Sequence, residues 1–277
     1  MRMLAYPINP LSTGQACAVF IKVVTCADGM ISESFVVLPG VRYRTERKLW
    51  DQGIGSWDHF MGAVKVKGLS AARKDSYDWK LQEAKDRLRE QNAEFFAENV
   101  PFSDQWRLYN EFKDEAVYLD IETNGYYSGI TVIGLSDGVD AKTFVRGFNL
   151  DRSLIMKELE KYKMVVTFNG ASFDLPVIKR YFNISPTVPH VDLRFVCQKA
   201  GFSGGLKSIE KQFNIRRRAE VEGISGEDAV YLWEMWKSTG DKDYLNKLVM
   251  YNEEDILNLR PLAEKVIPML WTRVRAR

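Results

Sequence analysis

The stretch "VYLDIETNG", Val117–Gly125, decides the fold. It opens as a buried β-strand, with Val117, Tyr118, Leu119 and Ile121 as apolar bulk, yet Asp120 and Glu122 interrupt the same short run. Residues two apart on a strand point to one face, so the two acids project side by side. Like charges held that close repel, and burying them without a partner costs several kcal/mol. A core strand ending this way needs a reason outside packing.

Downstream of this strand the pattern is mixed α/β. Strands are expected over Ala116–Ile121, Ile130–Ser136 and Lys142–Val145, then a helix over Asp151–Tyr162 with Asp151 as its N-cap. "MVVTFNG" (Met164–Gly170) is a short apolar strand of the kind covered on both faces. "FDLPVIKRYF" begins a helix, with Pro176 confined to its first turn. The remainder reads as helix: Leu206–Phe213, Gly226–Ser238, Asp243–Leu259 and a tail helix. Three antiparallel-type strands followed by alternating helix and strand make an α/β sheet with helices on both faces.

Upstream the texture differs. "ACAVFIKVV" (Ala16–Val24) and "MISESFVVL" (Met30–Leu38) read as paired strands about an "ADG" turn. Short helical stretches follow at Thr45–Gln52 and Trp57–Met61, and Ser76–Asn99 reads as one long amphipathic helix. Pro101 and the polar "FSDQW" break that pattern, so a boundary is expected between Val100 and Phe112. A small α+β N-terminal domain, residues 1–112, would then precede an α/β domain, residues 113–277.

Composition bounds the function. The 277 residues suffice for one large or two modest domains, and a net charge of +2 does not by itself announce a polyanion partner. Basic residues nevertheless cluster in "VRYRTERK" (Val41–Lys48), "IRRRAE" (Ile215–Glu220) and the terminal "WTRVRAR". Taken singly such runs are solvated faces. Beside an acidic site they become a phosphate-attracting surface. No run reaches the ~18 apolar residues of a membrane span, and "MRMLAYPINP" lacks the apolar core of a secretory signal. Cys17, Cys26 and Cys197 form no CxxC pair, which argues against a disulfide framework and a thiolate zinc site. The expected location is cytoplasmic.

Two further places put acids where a core does not want them. Asp174 follows the apolar strand at the mouth of the next helix, and in "YNEEDILNL" Tyr251 and Asp255 lie four apart, on one helix face. Singly, Asp174 could be a cap and Tyr251 a packing aromatic, and Glu253 and Glu254 read as solvated.

Together, D-x-E at a first strand's end, N-x3-F-D after a later strand and Y-x3-D on a near-terminal helix resemble the DEDD 3′–5′ exonucleases, which have a ribonuclease-H-like fold. "YLDIETNG", "FNGASFDLPVI", "HVDLR", "GGLKSIEKQFNI" and "YNEEDILNL" are similar to the YprB-like group within them, and the resemblance runs from about Glu115 to the C-terminus. Within the family, the histidine branch would place His at Met250, whereas Tyr251 stands where the tyrosine (DEDDy) branch has its Tyr. The resemblance gives His190 no catalytic role.

The chemistry explains the acids. Phosphodiester hydrolysis needs an activated water and stabilisation of a crowded anionic transition state. Two divalent cations about 3.5–4 Å apart supply both, and hard ions such as Mg²⁺ or Mn²⁺ take oxygen ligands. The resemblance implies that Asp120, Glu122, Asp174 and Asp255 hold the metals and that Tyr251 orients the attacking water. Its phenol, with an ordinary pKa near 10, is a poor base at pH 7. Thr123, Asn169 and Phe173 flank the acids as candidate contacts to the terminal nucleotide, with Phe173 equally readable as a packing residue.

"SFVVLPGVRYRTERKLWDQGIGSWDHFM" resembles half of a helix–hairpin–helix element over residues 39–61, with Arg42 where the turn's second glycine is usual. Arg42, Arg44, Arg47 and Lys48 would contact phosphates in that reading. The segment reads equally well as a small packing module.

The expected activity is metal-dependent 3′–5′ exonuclease cleavage of single-stranded nucleic acid with a free 3′ end, DNA ahead of RNA. The alternatives are a nucleic-acid-binding protein on a non-catalytic nuclease scaffold and a ribonuclease-H-type endonuclease.

Overall fold

The computed structural model describes residues 29–125 and 129–276. Ahead of the sheet come α1 (Tyr43–Trp50), α2 (Trp57–Gly62), α3 (Ala71–Arg89), α4 (Ala93–Asn99), a 3-10 turn (Phe102–Leu108) and α5 (Tyr109–Phe112). Then follow β1 (Ala116–Thr123), β2 (Ile130–Ser136), β3 (Ala141–Val145), α6 (Arg152–Leu159), β4 (Met164–Thr167), α7 (Asp174–Phe182) and β5 (His190–Asp192). Helices α8 (Leu193–Ala200), α9 (Leu206–Gln212), α10 (Gly226–Thr239) and α11 (Lys242–Ala276) complete the chain.

The sheet order is β3-β2-β1-β4-β5. β1 pairs antiparallel with β2, and β2 with β3, whereas β1–β4 and β4–β5 are parallel. Alternation along β1 sorts its side chains. Val117, Leu119 and Ile121 enter a core with Ile155 of α6 and Val177 and Ile178 of α7. Tyr118 enters the larger core on the other face with Leu259, Leu262 and Val266 of α11. Helices thus cover both faces, the architecture of a ribonuclease-H-like α/β domain. β5, three residues long, is the strand that the sequence pattern does not reveal.

The β1–β4 ladder stops at Tyr118↔Val166, while β1 runs on to Thr123. The end of β1 therefore projects beyond its parallel neighbour. Its register with β2 slips between Glu122 and Thr123, a bulge that bends the strand just past the acids.

Several local expectations are corrected. Ala16–Val24 lies outside the described residues, and its expected partner Met30–Leu38 folds as buried turns, not a strand. The reason is Glu46, a fully buried carboxylate whose Oε1 accepts from the Phe35 amide at 2.7 Å and the Ser34 hydroxyl at 2.8 Å. The groups a ladder would have used are captured locally. The long helix expected over residues 76–99 breaks at Gln91, which takes a left-handed φ of 54° before Asn92 caps α4. "FSDQW", which breaks the helical pattern in sequence, forms a 3-10 turn with Gln105 and Trp106 buried and Phe102 and Ser103 exposed, and one core cluster runs from Phe35 through Trp106 to Leu270. Two expected C-terminal helices are one helix of 35 residues, continuous through Pro261 and Pro268. An interior proline costs about 3 kcal/mol. Burial of Leu259, Leu262, Ala263, Val266, Ile267 and Leu270 along one side offsets it.

Candidate active site

Asp120, Glu122 and Asp255 meet where the free end of β1 passes under α11, and one oxygen from each lies within 4.8 Å of the others. Asp120 and Glu122 share the strand face turned toward α11, while Asp255 comes from that helix, among the buried residues Ile256 and Leu259. Asp174, at the start of α7, is 2% exposed, and its Oδ1 accepts from the Ile121 amide at 3.0 Å. That amide is available because the β1–β4 ladder ends before it. Asp174 stands next to the three-oxygen cluster rather than in it.

Electrostatics mark these groups as strained. Burial first, then Asp174, Asp255 and Glu122, raises the Asp120 pKa well above the carboxylate range. Burial and the neighbouring Asp255 and Asp174 do the same to Glu122. Burial pushes Asp174 up to about 7 and raises Asp255, against the pull of Arg217. Such a set is costly as bare charges and matches the donor chemistry of a hard divalent cation. Asp255 Oδ1 is paired with Arg217 Nη2 at 2.5 Å, so a cation already faces the cluster from one side. The residues present thus suit a metal, held by Asp120, Glu122 and Asp255.

Tyr251 lies one turn before Asp255 and is buried, and its hydroxyl accepts from Lys207 Nζ at 2.8 Å. The ammonium also stands 4.4 Å from the centre of the phenol ring. Burial and the neighbouring acids raise the phenol pKa, so it stays protonated.

Three residues at the site escape a sequence reading. Asn252 donates Nδ2 to Asp120 Oδ2 at 2.9 Å. Lys207 and Arg217 flank the acids from α9 and the loop after it. Lys207 sits inside "GGLKSIEKQFNI" and Arg217 inside "IRRRAE", so the motifs pointed at the segments but not at the side chains. Glu254, which reads as solvated, is buried and takes Arg218 Nε at 2.6 Å.

The remaining candidates are placed as follows. Thr123 is buried at the bulge. Asn169 has a φ of 70°, gives its amide to Asp192 at 2.8 Å and accepts from Arg194 Nη1 at 2.7 Å. Phe173 is half-buried against the α6–α7 core. Arg42 and Arg44 are exposed at the start of α1, remote in sequence from the acids. His190 bonds Thr167 at 2.8 Å through Nε2, and burial lowers its pKa to about 4, consistent with a supporting role as a neutral ring.

No helix among the described residues is long and apolar enough to cross a membrane. A search of curated proteins finds no match. Among solved structures, the chain is similar to the family B DNA polymerase of the hyperthermophilic archaeon Pyrobaculum calidifontis. The identity is 18% and the TM-score 0.44, over 58% of this chain and 27% of that one. A family model of the RNase H superfamily matches residues 117–267, which hold β1 from its second residue, β2 to β5 and every acid of the site. This match covers more than half of the sequence, and the chain belongs to the RNase H superfamily.

Proposed function

We propose that this chain is a metal-dependent nuclease of the DEDDy type, removing nucleotides stepwise from the 3′ end of single-stranded nucleic acid, DNA ahead of RNA. The observation that carries the reading is the convergence of Asp120, Glu122 and Asp255 oxygens within 4.8 Å. Tyr251, one turn before Asp255, and the D-x-E, N-x3-F-D and Y-x3-D order favour the exonuclease over other nuclease chemistries.

In this reading Asp120, Glu122, Asp174 and Asp255 would hold two Mg²⁺ or Mn²⁺ ions, which would supply acidification of the attacking water and neutralisation of phosphate charge. Asn252 fixes the rotamer of Asp120 through its 2.9 Å bond. Tyr251, protonated and held by Lys207, donates its O–H to orient the water and does not act as the base. With its amide and Oδ1 engaged, Asn169 has Nδ2 left for the terminal nucleotide, beside Thr123 and the Phe173 ring. Arg42 and Arg44 would take phosphates further along the strand.

Matched 5′-labelled DNA and RNA oligonucleotides, digested with Mg²⁺ and Mn²⁺, test polarity and sugar preference together. The expected product is a ladder shortening from the 3′ end, abolished by EDTA and by Asp255→Ala. Internal cuts would instead indicate an endonuclease, and binding without metal-dependent turnover a non-catalytic scaffold.

A further inference from the structure

Beside the acids, a groove of about 680 Å³ runs along α9 and the loop after it, lined by Lys207, Lys211, Arg216 and Arg217. We infer that this groove receives the phosphodiester backbone of a single strand, with Arg217 as its fixed contact; the inference rests on the nuclease reading and extends it to the path of the substrate.

Three observations support it. First, Lys207 and Lys211 are four apart and so lie on one face of α9, with Lys207 at the Tyr251 end. Second, Lys211 and Arg216 are exposed and have no carboxylate partner among the described residues. Of the two acids lining the groove, Glu222 is exposed and Glu210 is consumed by Arg217, so positive charge is in surplus. Third, Arg217 is built in advance. Glu210 grips it twice, Oε2 to Nε at 2.5 Å and Oε1 to Nη2 at 2.8 Å, and Asn258 holds Glu210 in turn at 3.0 Å. The guanidinium is 6% exposed, yet Nη1 is left without an acceptor among the described residues. A phosphate oxygen suits that vacant N–H, because charge-assisted bonds from a pre-oriented guanidinium are among the strong ones.

Contacts of this kind go to phosphates and carry no sequence information, so the groove binds strands regardless of base. The neighbouring Asp255–Arg217 pair places its inner end at the acids.

The test is fluorescence anisotropy of a labelled oligothymidylate with the full chain in EDTA, where no cleavage occurs, across a series of salt concentrations. The variants are Lys211→Ala/Arg216→Ala and a charge-matched control, Lys157→Ala/Lys179→Ala, on exposed positions of α6 and α7. The groove variant is expected to bind roughly tenfold more weakly. The slope of log K against log salt should fall by about 1.4, or about 0.7 per charge removed. A groove variant indistinguishable from the control in affinity and slope overturns the inference, as does a wild type that binds no strand. If the groove variant loses binding but the wild type cleaves nothing with Mn²⁺, the groove stands and the nuclease reading falls.

Discussion

A Cβ placed on Gly134 would lie 2.1 Å from the side-chain oxygen of Asn252. Gly134 faces Asp120 across the β1–β2 ladder, and its missing side chain is the space through which a fully buried asparagine reaches the carboxylate. Gly134→Ala therefore has nowhere to put its methyl, with Ile256 closing the other side at 3.1 Å. The expected result is a loss of about 1–3 kcal/mol in stability, together with a lower metal-dependent turnover. Denaturant unfolding and cleavage assays read the two effects separately, and a variant unchanged in both would remove Asn252 from the site.

Asp120→Asn preserves shape and the bond from Asn252 while removing one of four mutually repelling charges. The metal-free variant should melt at a higher temperature than wild type at pH 8, and cleavage should fall by roughly a hundredfold or more. Stability gained where function is lost is the signature of a site built for a ligand. An equal or lower melting temperature would argue that the acids are not strained.

The pH dependence follows from the same groups. Asp120, Glu122, Asp174 and Asp255 all bind protons more tightly folded than unfolded, with Asp174 pushed up to about 7. Their favourable share is complete below about pH 4 and is lost as pH rises through the raised values. His190 works in the opposite sense. Its pKa, lowered from 6.5 to about 4 by burial, costs stability only as pH falls below about 6.5. Above that point His190 no longer opposes the acids, so metal-free protein should lose stability toward pH 8 and Mn²⁺ should restore it, releasing protons as it binds. A thermal shift with Mn²⁺ that does not grow from pH 6.5 to pH 8 would contradict this account.

Arg107 and Glu46 form a buried ion pair at 2.8 Å that ties the 3-10 turn to α1, with side chains 3% and 0% exposed. Arg107→Met leaves the buried carboxylate without its cation and should cost about 3–5 kcal/mol, whereas Arg107→Met/Glu46→Gln, which removes the charge and keeps an acceptor for the Phe35 amide and the Ser34 hydroxyl, should recover part of that loss. Equilibrium unfolding of wild type, single and double variants makes the comparison. A double variant as unstable as the single one would show that packing, not charge, sets the penalty.

The sheet's first three strands and the acids were legible because their signals are local. Alternation along Val117–Ile121 fixes the faces, and the D-x-E pair violates it at one place. β5 was hidden because three residues carry no period. The turn at Met30–Leu38 reads as strand because its residues are apolar, and only the distant Glu46 decides otherwise. Asn252, Lys207 and Arg217 are of types found on any surface, and their roles exist only once α11 is packed against β1 and α9 against α11. The helix expected over Asp243–Leu259 and the tail helix are continuous through Pro261 and Pro268, because burial of one side outweighs the cost of the two prolines.

The 35-residue span of α11 makes it a rod of about 52 Å at 1.5 Å per residue. Asp255 sits in its first half, while near its far end Trp271 packs edge-on to Trp50 at 6.1 Å and the Arg275 carbonyl accepts from Arg47 at 3.0 Å. Residues 113–277 produced alone would leave Trp271 without Trp50 and Trp106, the two rings it packs against at that far end. Such a fragment is expected to be poorly soluble, so dissection of the chain has to keep the first helices attached to the last.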